Sequence, residues 1–503
     1  MHRREFLRQS LWGVGAFIPL GSLSLGEALA AVAGRRYYVD SDGGDDGHDG
    51  SNAGTAWRSL KRLNQVTFAP GDQVLFKRGG DYPGAFQPRG SGSATAPIVV
   101  DAYGGGTPPH LHADGDSPST VGLHNVEYWT LRNLAISNQG PKPLPRRTGV
   151  HLFHEDFGIA HGIVLQGLHI HDINGSAVKQ QGGGSAILVQ ATGKTRATRY
   201  QDLTIQDNVI ERSQRDGILF LGAGSRNGGL ATGVIVRGNR ISEVPGDCIL
   251  VKGCDGALVE RNTVSRCTAL PRGEAAAGIW PFDCDNTLVQ YNEVSDHKAY
   301  ADGEGYDADF KCRHTVIQYN YSHDNAGGLA LVCNDGRSAG DVGNTGTIVR
   351  FNVSINDALR KTGSASLRLS GPVDGSQIYN NIIIIPEKPI AGSEVTVFKA
   401  ASWKGVPNGT AIHDNIVLSP QPPGIDMQLA TANAPGENRI YASQGKVADA
   451  QASSMPADGE LLKRFRQHRP SLAEVNALVK ACFVNGKPVP NALDLIGKLA
   501  QAG

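Results

Sequence analysis

A short motif centred on Asn recurs along the middle of the chain, and it constrains the fold more than any other feature. Apolar residues stand close to each Asn on both sides, and from Asn208 onward the copies lie 23 to 35 residues apart. A repeat of this length indicates a solenoid, because a single unit buries its apolar face only by stacking on its neighbours. The copies are centred on Asn133, Asn208, Asn239, Asn262, Asn292, Asn320, Asn352 and Asn380, with a weaker last copy at Asn415.

The residue type at the centre of the motif fits the corner of a coil. Asn tolerates left-handed backbone angles and bonds to nearby backbone groups, so stacked corners predict a ladder of amide hydrogen bonds. The flanking segments are short, rich in β-branched residues and alternate as half-buried strands do. We therefore predict an all-β fold, a right-handed parallel β-helix with an asparagine ladder. A propeller is disfavoured because no regular pattern of four-stranded blades is present.

Composition agrees with a solenoid and excludes one class of partner. The 503 residues include 64 Gly, and charged residues make up only 19%, which suits a chain with many turns and few surface helices. Lys and Arg number 48 and so do Asp and Glu, and a chain without net charge is not expected to bind nucleic acid in general.

The chain divides into four predicted segments. Residues 1–33 are expected to be a twin-arginine signal peptide, because Arg3 and Arg4 precede an apolar stretch and small-residue cleavage sites. That stretch is too short and too interrupted by Gly for a stable membrane span. We expect a periplasmic or secreted protein, exported by the twin-arginine route and monomeric.

The remaining segments are defined by pattern. Residues 34–120 are predicted to form the N-terminal cap and first coils, 121–455 the parallel β-helix, and 456–503 a helical C-terminal tail. In the tail, Ser471 and Glu474 have the spacing of a capping box and precede apolar residues at helical spacing. The tail is expected to cover the open end of the solenoid, because terminal repeats need caps.

Seven cysteines are present, six of them between Cys248 and Cys333, and Cys482 stands apart. The absence of any C-x-x-C pair disfavours a zinc ribbon. We favour small apolar side chains stacked inside neighbouring coils, and a ladder of disulfides is the alternative.

One set of strands carries a chemically mixed face. Segments 217–221, 248–252, 278–282, 307–311, 329–333 and 366–370 align by their apolar pattern, with the second and fourth residues of each pointing inward. In this alignment Trp280 lies beside Asp309, and Phe282 lies beside Lys311. The outward residues are Lys252, Trp280, Phe282, Asp307, Asp309, Lys311 and Arg368, with Asp283, Asp285, Asp302 and Glu304 in adjoining loops.

This mixture is typical of a sugar-binding face. Aromatic rings stack on sugars, carboxylates act as acid and base, and cationic groups bind acidic sugars. A solvated strand with scattered charges is the simpler interpretation, but Asp is disfavoured in strands and two occur here. We predict Asp307, Asp309 and Lys311 as catalytic, and as substrate-binding Lys252, Trp280, Phe282, Arg368 and Glu304.

Two reactions fit these residues. In hydrolysis two carboxyl groups flank the bond, either Asp307 with Asp309, or Asp309 with a loop acid such as Asp283 or Glu304. In β-elimination Lys311 or Lys252 removes a proton beside a uronate carboxylate. The lyase would use calcium as its cofactor, held by Asp283, Asp285 and Asp302.

Hydrolysis is preferred because it explains two aspartates in one strand. A carbohydrate-binding or adhesion solenoid without catalysis is the alternative from another class. For all three functions the expected partner is a polysaccharide.

Several motifs resemble known families. Residues 37–40, Trp57 and 70–72 look like the start of many bacterial right-handed β-helix proteins. Residues 305–310 and 317–325 resemble β-helix proteins related to the family 141 glycoside hydrolases. That resemblance implies an enzyme that uses aspartates to act on fucose- or xylose-containing polysaccharides. Asp307 and Asp309 are the residues that would correspond to those aspartates. The region is also similar to family nine polysaccharide lyases, where an Asp-Gly-aromatic phrase precedes a catalytic Lys near calcium. Lys311 matches that Lys, although the phrase at 307–310 is longer here.

Overall fold

Three long parallel sheets run side by side along the chain, and successive coils contribute one strand to each. The computed structural model describes residues 34–336, 343–359, 364–385, 396–431, 434–443, 452–456 and 459–501. The predicted export signal at 1–33 lies outside these described residues. The three sheets confirm the predicted parallel β-helix. Crossovers between parallel strands strongly favour the right-handed sense.

The first sheet has 14 strands and the second has 14. In order, the first contains Arg36–Val39, Gln73–Lys77, Ile98–Tyr103, Trp129–Arg132, Ile159–Gln166, Arg199–Gln206, Ile235–Arg237, Leu258–Glu260, Leu288–Gln290, Val316–Gln318, Ile348–Arg350, Gln377–Tyr379, Ala411–His413 and Ala434–Pro435. The second contains Asp81–Pro83, His110–His112, Ala135–Asn138, His169–Ile173, Val209–Ser213, Arg240–Ser242, Thr263–Ser265, Glu293–Ser295, Tyr321–His323, Val353–Ile355, Ile382–Ile384, Ile416–Ser419, Asn438–Ala442 and Ala452–Pro456.

The third sheet has 11 strands and carries the chemically mixed face. It contains Ser119–His124, Arg147–Glu155, Gly184–Thr192, Asp216–Gly222, Ile249–Lys252, Ile279–Phe282, Tyr306–Ala308, Ala330–Cys333, Leu367–Ser370, Thr396–Ala401 and Gly424–Asp426. Small two-stranded ladders join Ala275–Ala276 to Ala301–Asp302, Asn344–Thr345 to Val373–Asp374, and Phe483–Val484 to Lys487–Pro488. Helical turns occur at Ala53–Thr55, Leu60–Leu63 and Lys179–Gln181.

The asparagine ladder runs along the corner between the first and second sheets. At each rung the backbone N–H and the side-chain Nδ2 donate to the Oδ1 of the next Asn, at 2.9 to 3.1 Å. All rungs are buried, so these bonds satisfy backbone groups that water cannot reach. The rungs are Asn208, Asn239, Asn262, Asn292, Asn320, Asn352, Asn381, Asn415 and Asn438.

Three details of the predicted ladder were wrong. Asn133 is not a rung, and its amide donates instead to Asp101 Oδ1 at 2.7 Å. Asn381 takes the rung that was assigned to Asn380, and Asn438 adds one more. At eight of the nine rungs the left-handed residue of the corner is the one before the rung, as at Tyr291, which has a φ of 56°. The Asn itself is therefore needed for its amide and not for its backbone angles.

The interior is apolar and contains five of the six clustered thiols, whereas Cys333 lies on the outer side of its strand. All seven cysteines lie within the described residues, and all are buried and free of disulfides. The Cys248 and Cys267 Sγ atoms are 3.4 Å apart, which is contact between thiols of neighbouring turns. The interpretation as small apolar side chains inside neighbouring coils is confirmed for the five cysteines of the interior and was wrong for Cys333, whose thiol bonds to Asp309.

The C-terminal tail consists of three helices, α1 (Gly459–Gln467), α2 (Leu472–Cys482) and α3 (Ala492–Leu499). The predicted capping box of Ser471 and Glu474 is present at the start of α2. Among the described residues, no helix has the length and apolar character needed to cross a membrane.

The tail packs along the side of the solenoid, so the expectation that it covers the open end was wrong. It lies on the outer face of the second sheet, where Phe465 is fully buried among outward residues of successive strands. Burial of such a ring contributes about 1.5–3 kcal/mol. Arg469 pairs with Asp324 at 2.6 Å and Lys487 with Asp414 at 2.7 Å. The covered strand residues are Tyr321, Val353, Ile355, Ile382, Ile384, Ile416, Leu418 and Tyr441.

Candidate active site on the third sheet

The strand register fixes which outward side chains are neighbours. Ile279 pairs with Tyr306, and Tyr306 pairs with Ala330. Trp280 is therefore level with Asp307, and the predicted alignment was displaced by two residues. The inward positions belong to Tyr306 and Ala308, which are both fully buried.

Tyr306 explains the displacement. Its ring lies in the core. Its buried hydroxyl is within hydrogen-bond distance of two backbone carbonyls, those of Asn292 and Tyr321, and can donate to either at 2.9 Å. An alignment based on apolar residues does not assign Tyr306 to the core, because a buried Tyr needs a polar partner for its hydroxyl and the sequence pattern does not show that partner. Phe310 consequently lies beyond the strand and partly exposed, and Lys311 stands in a turn with a φ of 62°. Phe282 is level with Asp309 rather than with Lys311.

Asp307 and Asp309 do come together at the end of their strand. Oxygens of both carboxyl groups and the Sγ of Cys333 all lie within 4.8 Å of one another. The Cys333 thiol donates to Asp309 Oδ1 at 3.0 Å, and the Phe310 N–H donates to the same oxygen at 2.7 Å. Asp307 is buried, and among the residues that the structure describes its Oδ1 has no hydrogen-bond partner.

Burial sets the protonation of this pair. It raises the pKa of the Asp309 carboxyl to about 7, against the lowering effect of the bonds from Cys333 and Phe310. Burial and then the charge of Asp309 raise the pKa of Asp307 well above its usual range. Two carboxyl groups this close do not both ionise readily, so the pair holds at least one proton near neutral pH.

Asp302, Glu304 and Arg368 form a second cluster beside the pair. The Arg368 Nη2 lies 3.0 Å from Asp302 Oδ1 and 3.4 Å from Glu304 Oε1. Glu304 is buried, whereas the side chain of Asp302 is 35% exposed. The negative charge of Asp302 also contributes to the raised pKa of Asp309, so the two clusters act on each other. Asp302 is the solvent-accessible, arginine-paired carboxylate of the site.

The proposed calcium ligands are not gathered into one site. Arg226 binds Asp283 at 2.5 Å and Asp285 at 2.8 Å, while Asp302 is held by Arg368. An arginine between carboxylates occupies the place that a cation would take. This geometry gives no support to a calcium site made of these three residues.

Aromatic side chains line the same end of the sheet. Ring centroids of Phe282 and Phe310 are 5.6 Å apart, and those of Phe310 and Trp403 are 5.1 Å apart. The Lys252 Nζ lies 4.8 Å from the centroid of Phe282. Trp403 is 38% exposed, so this strip offers a surface on which a sugar ring can stack.

Trp280 is less accessible than the sequence suggested. It is only 6% exposed, its Nε1 donates to Asp247 Oδ1 at 3.2 Å, and the Lys179 Nζ sits 5.4 Å from its ring. Asp247 is itself buried and pairs with Lys179 at 3.3 Å and with Arg215 at 3.3 Å. Lys179 and Arg215 outweigh the effect of burial and lower the pKa of Asp247. Trp280 therefore forms a rigid wall of the site.

Sequence reasoning missed Lys179, Asp247, Arg226, Phe310 and Trp403. One signal was available for Asp247, since Asp216 and Asp247 both directly precede an aligned strand. Trp403 follows the strand Thr396–Ala401, one coil beyond the aligned set. Lys179 and Arg226 stand in loops far from the site in sequence, and no local pattern connects them to it.

Comparison with known proteins agrees with the fold. A family model described as "Right handed beta helix region" matches residues 185–383. The lacto-N-biosidase of Bifidobacterium longum subsp. longum is 27% identical over an alignment of 456 residues, which covers 71% of this chain and 28% of that protein. The chain thus spans less than a third of the length of that relative.

A solved structure gives the same picture. The GH136 lacto-N-biosidase from Eubacterium ramulus superposes with a TM-score of 0.58 at 25% identity, over 84% of this chain and 68% of that one. Its selenomethionine form gives the same TM-score at 24% identity, over 86% and 68%. The expected likeness to β-helix proteins active on carbohydrates is confirmed. The matching hydrolases are of family 136, whereas the motifs at 305–325 suggested family 141.

Proposed function

We propose that this protein is a glycoside hydrolase that acts on a glycan chain. The observation that carries the proposal is the carboxyl group of Asp309, whose pKa is raised to about 7 beside the arginine-paired carboxylate of Asp302. Glycosidases use one protonated and one ionised carboxyl group on either side of the scissile bond. The lacto-N-biosidase relatives favour the same reaction class.

The roles follow from protonation and access. Asp309 donates its proton to the leaving oxygen, because it is partly accessible and holds a proton near neutral pH. Asp302 carries negative charge at the reacting carbon or activates water, and Arg368 fixes its orientation. Asp307, whose pKa is raised well above its usual range, stays protonated and adds no negative charge beside Asp309. Phe282, Phe310 and Trp403 bind the sugar rings.

Activity should fall as the pH rises through about 7. The raised pKa means that Asp309 is protonated below this value and loses its proton above it. A general acid works only in its protonated form, so kcat/KM should decline tenfold per pH unit on the alkaline side. A pH profile of kcat/KM measures this limb. A profile flat to pH 9 would exclude Asp309 as the acid.

Lyase chemistry is the second candidate, and Lys252 favours it. Burial lowers the pKa of its ammonium group, with Lys179 and Lys311 adding to the effect. A lysine with a lowered pKa is a competent base for removing the proton beside a uronate carboxylate. Lys311, the other predicted base, stands in a turn outside the strand.

One assay separates these functions. The purified protein is incubated with a chromogenic lacto-N-bioside and with neutral and uronate-containing polysaccharides, while reducing ends and the ultraviolet absorbance of unsaturated uronates are recorded. Hydrolysis predicts new reducing ends without that absorbance, in wild type and in Lys252→Met alike. Both signals together, lost in Lys252→Met, would establish the lyase. Binding without either signal would favour the non-catalytic solenoid.

We further propose that the protein works outside the cytoplasm. The paired arginines at positions 3 and 4 and the apolar stretch after them support export by the twin-arginine route. Processing is tested by determining the N-terminal sequence of the protein recovered from periplasm and medium.

A further inference from the structure

A histidine and aspartate cluster lies on the outer face of the second sheet, near the N-terminal end of the solenoid. His110 and His112 occupy alternate positions of one strand and point outward, while Leu111 between them is buried. Asp81 stands on the preceding strand, directly opposite His110. The sheet register therefore brings three potential ligands together from two neighbouring coils.

The two imidazoles converge on one carboxylate. His110 Nδ1 is 3.0 Å from Asp81 Oδ1, and His112 Nε2 is 3.0 Å from Asp81 Oδ2. The three ligand atoms lie within 4.8 Å of one another. In a tetrahedral zinc site with bonds of about 2.1 Å, ligand atoms are about 3.4 Å apart, so small side-chain rotations would place an ion between them.

The outer nitrogens of both rings already have partners. His112 Nδ1 is 2.7 Å from Asp114 Oδ2, and His110 Nε2 is 2.9 Å from Ser137 Oγ. With an ion bound, Ser137 and Asp114 can accept the N–H of the outer nitrogens, so that His110 Nδ1 and His112 Nε2 present their lone pairs to the metal beside Asp81. Carboxylate or hydroxyl support of this kind is what fixes the tautomer of metal-binding histidines.

Without a metal the same contacts are less well matched. Both nitrogens of His112 face carboxylates, so an imidazole that satisfies both must carry two protons. The Asp81 side chain is 66% exposed, so an ion and a water ligand can reach the site from solvent.

We propose that Asp81, His110 and His112 bind one divalent transition-metal ion of the zinc class, with solvent in the fourth position. Imidazole and carboxylate ligands suit such ions better than calcium, which prefers oxygen. The ion links adjacent coils, because Asp81 belongs to one coil and both histidines to the next. The site stands apart from Asp309, on another sheet, and does not depend on the proposed hydrolysis.

Cobalt substitution tests the proposal. The full chain is stripped with a chelator, and Co²⁺ is titrated while visible absorbance is recorded. One Co²⁺ per chain should bind with the d–d bands of four-coordinate cobalt, and Zn²⁺ should displace it. His110→Gln and His112→Gln should abolish the bands, and Asp114→Asn should weaken binding by about 10- to 100-fold.

Controls make each outcome decisive. His124→Gln removes an imidazole from the third sheet and should leave the titration unchanged. Chelated wild type and chelated His110→Gln should melt at the same temperature, whereas Zn²⁺ should raise the melting temperature of wild type alone. Failure of the wild type to bind stoichiometrically would overturn the proposal. So would bands that persist in the His110→Gln/His112→Gln double variant, or a thiolate charge-transfer band that indicates Cys333.

Discussion

Replacement of Asp309 by Asn should lower kcat for hydrolysis by about 10²–10⁴-fold, the contribution of a positioned general acid. The change keeps the side chain's shape and removes its proton. The bonds from Cys333 and the Phe310 N–H end on one oxygen, which the amide carbonyl reproduces. The variant should therefore fold and bind substrate with little change in KM.

Comparing substrates with different leaving groups tests more directly whether Asp309 acts as the general acid. Substrates with an acidic leaving group, such as dinitrophenol, need little protonation, so Asp309→Asn should lose much less rate on them than on natural glycosidic bonds. Asp283→Asn is the matched control, since Asp283 is held by Arg226 and should leave kcat within about twofold. Full activity of Asp309→Asn on natural linkages would refute the assignment.

Replacement of Asn292 by Ala should lower the stability of the solenoid by roughly 3 kcal/mol or more. Its Oδ1 accepts from the backbone N–H and the Nδ2 of Asn262, and its Nδ2 donates to the carbonyl of Val259. Alanine leaves these buried groups without those partners, and each such loss costs about 1–3 kcal/mol.

Urea denaturation followed by circular dichroism measures the change. Asn227→Ala, in an exposed loop, is the control and should shift the midpoint hardly at all. Equal midpoints for Asn292→Ala and Asn227→Ala would show that the ladder contributes no net stability.

The same ladder shows what a sequence can predict about this fold. The rung positions recur because every coil needs the same amide at the same corner, so periodicity reveals most of them. Asn380 and Asn381 are adjacent, and only the hydrogen bond to Asn415 distinguishes the true rung. That bond depends on how the strands of neighbouring coils are paired, and the local sequence pattern does not show this pairing.

The candidate site was predictable in part for the same reason. Asp307 and Asp309 stood out as acids in a strand, and the structure brings them together. Their neighbours were misplaced because Tyr306 is a core residue whose hydroxyl finds carbonyls inside the solenoid. Arg226 and Lys179 reach the site from loops of distant coils, and loop paths follow from tertiary packing.

The C-terminal tail changes how the end of the solenoid should unfold. In a simple stack each coil touches only its two neighbours, so coils at an end can fray one at a time. Here one apolar cluster joins the tail to five consecutive strands of the second sheet, from Tyr321–His323 to Asn438–Ala442. No single coil in this stretch can peel away without breaking contacts that its neighbours share. We therefore expect the last third of the molecule to unfold as one cooperative unit rather than coil by coil.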